Sequence, residues 1–220
     1  MIEEQVSWST LFQREHRQFC HACWQQIKWI NDLRCSRCYR PQSSQSVCLD
    51  CVRWDKSNHW SNKLTRNVSL LSYNEWAQDF VARFKFRGDV VLVKAFEHEL
   101  KRLYSRQFHH HLIVPIPLSE KRMVERGFNQ SEALARCMAT SINDVLTRVI
   151  HEEKTSKKLR WQRMAGRSRP FEVSEAGCLK SRDVVLVDDI YTTGATVRKA
   201  ATVLLEAGAT SVSSITLFRS

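Results

Sequence analysis

The chain holds only six glycines and four prolines in 220 residues. Neither G-x-x-x-x-G-K-[ST] nor G-x-G-x-x-G occurs in it, which argues against P-loop nucleotide hydrolysis and a Rossmann dinucleotide site. No run approaches the ~18 consecutive apolar residues of a membrane-spanning helix, so no membrane insertion is expected. The opening Met1-Ile2-Glu3-Glu4-Gln5 lacks the basic and apolar stretch of a secretory signal, and a cytoplasmic location is expected. Repeats are absent apart from pairs of cysteines. Acidic residues are the minority: 34 Lys and Arg stand against 23 Asp and Glu, a net charge of +11. That excess favours a polyanionic partner, although plain solubility would also explain it.

What is present is a 43% hydrophobic composition, enough for one α/β domain with a small appendage. The most telling segment is Val184 to Thr196, VVLVDDIYTTGAT. Val184–Val187 read as a strand buried on both faces of a parallel sheet. Val197, Ala200, Ala201 and Leu204 recur at helical spacing, with Gly208 as the stop. Thr210–Phe218 read as the next strand, completing a right-handed β-α-β unit. Ligands of open α/β sheets sit beyond the carboxyl ends of strands, where Thr192–Thr196 fall.

Phosphate requires donors without bulk. Backbone amides at a helix N-terminus supply them, Gly194 permits close approach, and the hydroxyls of Thr192, Thr193 and Thr196 add donors. Asp188 and Asp189 only accept hydrogen bonds when ionised, so they suit neighbouring ribose hydroxyls. Paired acids after a strand also hold Mg²⁺ in receiver domains and some phosphatases, and a solvated strand end is the plain alternative.

At these residues the sequence resembles the type I phosphoribosyltransferases. The resemblance implies a site for 5-phosphoribosyl-1-pyrophosphate (PRPP). Asp188 and Asp189 would hold the 2′ and 3′ hydroxyls at the reacting ribose, and Thr192, Thr193, Gly194, Ala195 and Thr196 the 5′-phosphate.

Leu112–Pro117 read as another core strand, followed by a charged turn with Glu120, Lys121 and Arg122. Arg126-Gly127-Phe128-Asn129-Gln130 comes next. Asn129 is placed to cap a helix, with Glu132 at capping-box spacing. Together with Phe84-Lys85-Phe86-Arg87-Gly88, the phosphate segment and the cysteine pairs, this order resembles the ComF family, in particular its ComFC-type late competence proteins. The resemblance covers nearly the whole chain. It implies a factor in natural transformation that handles incoming single-stranded DNA on a phosphoribosyltransferase-like fold. Other cytoplasmic competence proteins would be its partners, such as a ComF-operon helicase and DNA-processing factors. It also implies that Ser119–Arg122 form the pyrophosphate loop, with Lys121, Arg122 and Arg126 neutralising charge. If the site is catalytic, pyrophosphate leaves ribose C1 with Mg²⁺ bridging its oxygens. No segment that selects a nucleobase is legible. A phosphoribosyltransferase acting on a small nucleobase-like acceptor therefore stands as the alternative to a binding or regulatory role.

Six of the eight cysteines form C-x-x-C pairs: Cys20/Cys23, Cys35/Cys38 and Cys48/Cys51. In a chain without a secretory signal that spacing points to zinc rather than disulfides, and three pairs are unlike a redox dithiol. Cys35, Cys38, Cys48 and Cys51 are the favoured ligands, because Tyr39–Ser44 read as the turn of a hairpin between them. Cys20, Cys23, Cys35 and Cys38 are the competing set. Fuller ComF relatives carry a further pair upstream, so by resemblance either the chain starts downstream of its natural start or the first site is degenerate.

Residues 1–64 are expected to form the zinc-ribbon-like module and 65–220 the phosphoribosyltransferase-like domain. Glu75–Phe84 and Val90–Tyr104 read as helices whose aromatic and aliphatic faces are core. His109-His110-His111 read as a polar turn, and Cys137 and Cys178 as packing or surface residues. Lys154–Pro170 hold seven basic residues, no acid and Trp161. Such a segment fits single-stranded nucleic acid, a loop closing over PRPP, or a solvated surface.

Overall fold

A computed structural model describes residues 19–149 and 169–220. The basic residues Lys154, Lys157, Lys158, Arg160, Arg163 and Arg167, with Trp161, lie outside the described residues. Arg169 is described and pairs with Glu206 at 3.1 Å.

In chain order the elements begin with two short helices, α1 (His21–Gln26) and α2 (Leu49–Asp55). Strand β1 (Asn67–Ser72), α3 (Glu75–Phe86), a 3₁₀ turn (Val90–Phe96) and α4 (Glu97–Gln107) follow. Then come β2 (Leu112–Pro115), α5 (Glu120–Arg126), α6 (Gln130–Met138), β3 (Leu146–Arg148) and β4 (Phe171–Val173). The chain continues through a second 3₁₀ turn (Ala176–Leu179) to β5 (Asp183–Tyr191), α7 (Ala195–Glu206) and β6 (Ser211–Arg219).

The central sheet has strand order β1-β6-β5-β2, and each neighbouring pair runs parallel. β3 and β4 form a small antiparallel hairpin. The molecule is thus an α/β structure with a type I phosphoribosyltransferase-like parallel sheet and an N-terminal cysteine cluster.

Packing follows strand alternation. Val185 and Val187 of β5 join Phe80, Phe84, Phe96, Leu100 and Leu134 in the core on one face. Val184 and Leu186 face the other way, against Val197, Ala200, Ala201 and Leu204 of α7. The four cysteines from Cys35 to Cys51 belong to this second core. Leu64 is also in it, so the cysteine region and the sheet share one interior.

Several boundaries differ from expectation. β5 does not stop at Val187: it stays paired with β6 as far as Tyr191↔Arg219, so both acids lie within the strand. The turn expected at Glu120–Arg122 is the first part of α5. Ser119 caps it by accepting from the Arg122 amide, and Gly127 ends it at φ +74°. The helix expected over Val90–Tyr104 opens as a 3₁₀ turn. Asn129 does cap α6, accepting from the Ser131 amide, but Glu132 pairs with Arg136 rather than closing a capping box.

Candidate functional site

Three sequence segments far apart in the chain meet at the carboxyl edge of β5. Asp189 is 5% exposed, and Lys85, near the end of α3, forms an ion pair with its Oδ2. Asp188 retains partial access to solvent. Its Oδ1 accepts from the Ser131 hydroxyl at 3.1 Å and from the Asp189 amide at 3.0 Å. Side-chain alternation along β5 holds as far as Val187, and the acids' partners Ser131 and Lys85 stand on α6 and α3, which both pack into the first core. The alternation then slips by one residue, since Ile190 packs with the first core and Tyr191 with the second.

Burial first, and then the Asp189 charge, push Asp188 up to about 7, against the pull of its amide and hydroxyl donors and of Lys85. Tyr73 is also pushed up, by burial and by Asp189.

Thr192–Thr196 link β5 to α7. Thr192 and Thr196 are exposed, Thr193 and Ala195 half-buried, and Gly194 buried. Among the described residues no acceptor takes the amides of Thr192, Thr193 or Gly194. With α7 behind them, these amides form a cradle for an anion. Gly194 sits at φ +80°, and a Cβ there would lie 2.1 Å from the Tyr191 hydroxyl and 2.4 Å from an Arg198 nitrogen. Only glycine meets both constraints.

The cations expected from the Ser119–Arg126 segment separate into two kinds. Lys121 and Arg122 are exposed, and Lys121 lies 4.0 Å from Glu125. Arg126 is half-buried, its guanidinium 5.7 Å from the centre of the exposed Phe86 ring. Burial and Arg122 push Arg126 down, while Asp189 and Asp188 pull it up, so it sits near both acids. One Arg126 nitrogen and the Gln130 side-chain oxygen are buried without a hydrogen-bond partner among the described residues. Polar atoms left open in this way suit a bound ligand. Arg148 is another neighbour of the site, pushed down by burial and Arg122 and pulled up by Asp188.

Sequence reasoning did not select Lys85, Ser131 or Arg148. Lys85 carried a signal: it is a cation next to the apolar face of α3, inside the Lys-Phe-Arg-Gly segment.

The cysteines resolve plainly. The Sγ atoms of Cys35, Cys38, Cys48 and Cys51 all lie within 4.8 Å of one another and are buried. Cys35 and Cys51 are 3.9 Å apart, and Cys38 and Cys48 are 3.6 Å apart. A tetrahedral ion with Zn–S bonds of ~2.3 Å needs sulfur–sulfur edges of roughly 3.8 Å, so this donor set fits zinc. The thiols cannot all ionise alone. The Cys51 hydrogen bond, and then Arg219, pull Cys38 down to about 4, while Cys38 drives Cys51 upward and burial raises Cys48. A dication removes that conflict. Cys20 is exposed and Cys23 half-buried, and neither joins a metal-sized group among the described residues.

Comparison with known proteins agrees with both parts. Residues 10–52 match the double zinc ribbon domain family and residues 126–220 the phosphoribosyl transferase domain family. Competence protein ComFC of Bacillus subtilis (strain 168) is 38% identical over 223 aligned residues, covering 100% of this chain and 92% of that protein. Competence protein ComFC of Streptococcus pneumoniae is 32% identical over 95% of this chain and 91% of its own length. DNA utilization protein YhgH of Escherichia coli (strain K12) is 33% identical over 90% of this chain and 88% of its own. The phosphate segment, the convergent Lys85 and Ser131 and the cysteine cluster thus lie in a sequence alignable from end to end with a competence protein: the chain belongs to the ComFC family.

Proposed function

We propose that this protein takes part in the uptake and handling of single-stranded DNA in natural transformation, and that its sheet edge binds PRPP or a related phosphoribose. The observation that carries the ligand reading is the convergence at one strand end of Asp188 with Ser131, Asp189 with Lys85, and the open amides of Thr192–Gly194. In this reading the 5′-phosphate takes the amides and the exposed Thr192 and Thr196 hydroxyls. Asp188 accepts from a ribose hydroxyl. Asp189 contributes less directly than its neighbour, because Lys85 already holds it. Lys121, Arg122 and Arg126 face the pyrophosphate end. Mg²⁺, when bound with PRPP, supplies charge neutralisation there.

The DNA reading rests on the relatives' names, the excess of positive charge and one surface feature. Phe86 is 77% exposed and carries Arg126 against its ring. Arg87 and Arg122 are exposed in the adjoining segments. An aromatic ring among cations suits a base stacked beside its phosphate. The cytoplasmic location, the partner helicase and the boundary at residues 64 and 65 belong to the same proposal.

Calorimetry with PRPP and Mg²⁺ tests the ligand. Binding by the native protein, lost in Asp188→Ala/Asp189→Ala with the fold retained, is expected; no binding by the native protein sinks the reading. Oligo(dT) binding that weakens with salt and with Phe86→Ala is expected for the DNA role. Release of pyrophosphate with one of a panel of nucleobases would move the assignment to a phosphoribosyltransferase acting on a small acceptor. Metal analysis should find about one zinc per chain, lost in Cys35→Ser.

A further inference from the structure

The cysteine cluster and the phosphate-cradle turn touch through two side chains, Arg219 and Trp54. Arg219, on β6, is 2% exposed. Its Nε donates to the Cys38 carbonyl at 2.9 Å, and one terminal nitrogen reaches Cys38 Sγ at 3.3 Å. The other terminal nitrogen donates to the carbonyls of Tyr191 at 3.1 Å and Thr192 at 3.0 Å. A single planar guanidinium therefore holds a metal-ligating sulfur on one side and the first carbonyls of the cradle on the other.

Trp54 makes the second link. It lies on α2, three residues after Cys51, and is buried. Its indole N–H donates to the Thr193 carbonyl at 2.9 Å. Its ring lies 4.5 Å beneath the Arg198 guanidinium. Arg198 is itself buried and donates to the Tyr191 hydroxyl at 2.7 Å and to the Gly194 carbonyl at 3.4 Å. The carbonyls of Tyr191, Thr192, Thr193 and Gly194 are all taken by these three side chains. Fixing the carbonyl side of each peptide turns its amide to the other side, since the peptide unit is planar.

We propose that Arg219 and Trp54 are positioning residues that couple metal occupancy of the Cys35–Cys51 cluster to anion binding at Thr192–Thr196. This deepens the phosphoribose reading and rests on it for the identity of the anion. Four thiolates around a dication leave a net negative charge for Arg219 to face. That keeps the guanidinium oriented for the carbonyls on its far side. Without the metal, nothing ties the Cys35/Cys38 turn to Cys48 and Cys51 across the cluster, so the Cys38 anchor of Arg219 and, with it, the hold on Tyr191 and Thr192 loosen. Coupling between binding sites is reciprocal: the factor by which zinc raises PRPP affinity is the factor by which PRPP raises zinc affinity.

The test uses the full chain, titrated with PRPP–Mg²⁺ and, separately, with zinc against a competing chelator. Trp54→Phe keeps the ring under Arg198 and removes only the donor to Thr193. It should weaken PRPP by roughly tenfold with the zinc content unchanged. Arg219→Gln should weaken both ligands by roughly tenfold. Arg219→Lys keeps the charge but cannot span both sides, so it should restore zinc affinity more than PRPP affinity. Hydrogen exchange across Tyr191–Ala200 should accelerate in both Arg219→Gln and Trp54→Phe, with helix α4 unchanged.

PRPP binding by Trp54→Phe at native strength, or zinc affinity unmoved by saturating PRPP, overturns the coupling and leaves the ligand reading standing. If the native protein ignores PRPP, the ligand reading falls and hydrogen exchange decides the coupling alone. Exchange at Tyr191–Ala200 that is unchanged when the native protein is stripped of zinc sinks it, and acceleration on stripping that is absent from Arg219→Gln upholds it.

Discussion

Two stretches beside the sheet edge are candidates to hold charge, and they are built in opposite ways. The turn Thr192–Thr196 has little charge of its own. Its carbonyls are gripped from behind by Arg219, Trp54 and Arg198. Helix α5, Glu120–Arg126, carries two of its three cations outward. Lys121 and Arg122 are exposed, and the helix buries none of its residues. The first stretch offers fixed dipoles and loses almost no freedom when an anion arrives. The second offers mobile charges that water screens and that must be ordered by the ligand. Under the proposed phosphoribose reading, selectivity for a phosphate would belong to the turn, and long-range attraction to the helix.

That contrast breaks most sharply at Gly194. Gly194→Ala places a methyl on the Tyr191 hydroxyl at an unfavourable φ. It should cost about 4 kcal/mol in urea unfolding and abolish PRPP binding. A cost under ~1 kcal/mol would mean the turn is not rigid. Lys85→Met comes next, because it strands the buried Asp189 carboxylate. About 3 kcal/mol should be lost, and adding Asp189→Leu should recover most of it. A double variant no better than the single would show that the pair does not carry the penalty.

Asp188 gives a pH signature. Its native value, raised to about 7 from 3.8, means that the folded state binds the extra proton. Its stabilising contribution is whole below the unfolded value near 4 and is lost as pH rises through about 7. Asp188→Asn should then be more stable than the native protein at pH 8, by about 2 kcal/mol once partial solvent access is allowed for, and nearly equal to it at pH 4. Thermal melts at the two pH values read this directly, and an equal shift at both would remove the titration as its cause. The smallest effect is expected on the outer stretch. Lys121→Ala should change stability by less than ~0.5 kcal/mol and PRPP affinity by about twofold, with the difference vanishing in high salt.

The sequence located the turn and the cluster because both depend on local order. A buried strand followed by small donors, and two C-x-x-C pairs nine residues apart, need nothing distant to be recognised. Lys85 and Ser131 could not be assigned that way: their meaning comes from α3 and α6 converging on β5 from positions 104 and 57 residues before the acids they touch. The end of β5 was missed for a related reason. Its length is set by β6, which runs alongside as far as Arg219, and not by the acids that look like a strand stop. Helix α5 was different, because its signals were local: Ser119 as cap, Glu120 in the first turn and Gly127 as terminator. Its charge density simply outweighed them. Cys20 and Cys23 teach the converse, since they share the spacing of the buried ligands yet have no matching pair beside them among the described residues.

The surface under the cysteine cluster is made by the first and last strands of the central sheet in chain order, β1 and β6, which pair at one edge of it. Asn67 of β1, wholly buried, reaches the Cys38 carbonyl at 3.4 Å and accepts from Ser214 of β6 at 2.8 Å. Arg219 adds its grip from the same late strand. During synthesis the thiols therefore leave the ribosome well before the platform that will seat them exists. They must collect their ion, or be shielded, while still tethered to an unfinished sheet, and seating waits for the last strand to slide into place.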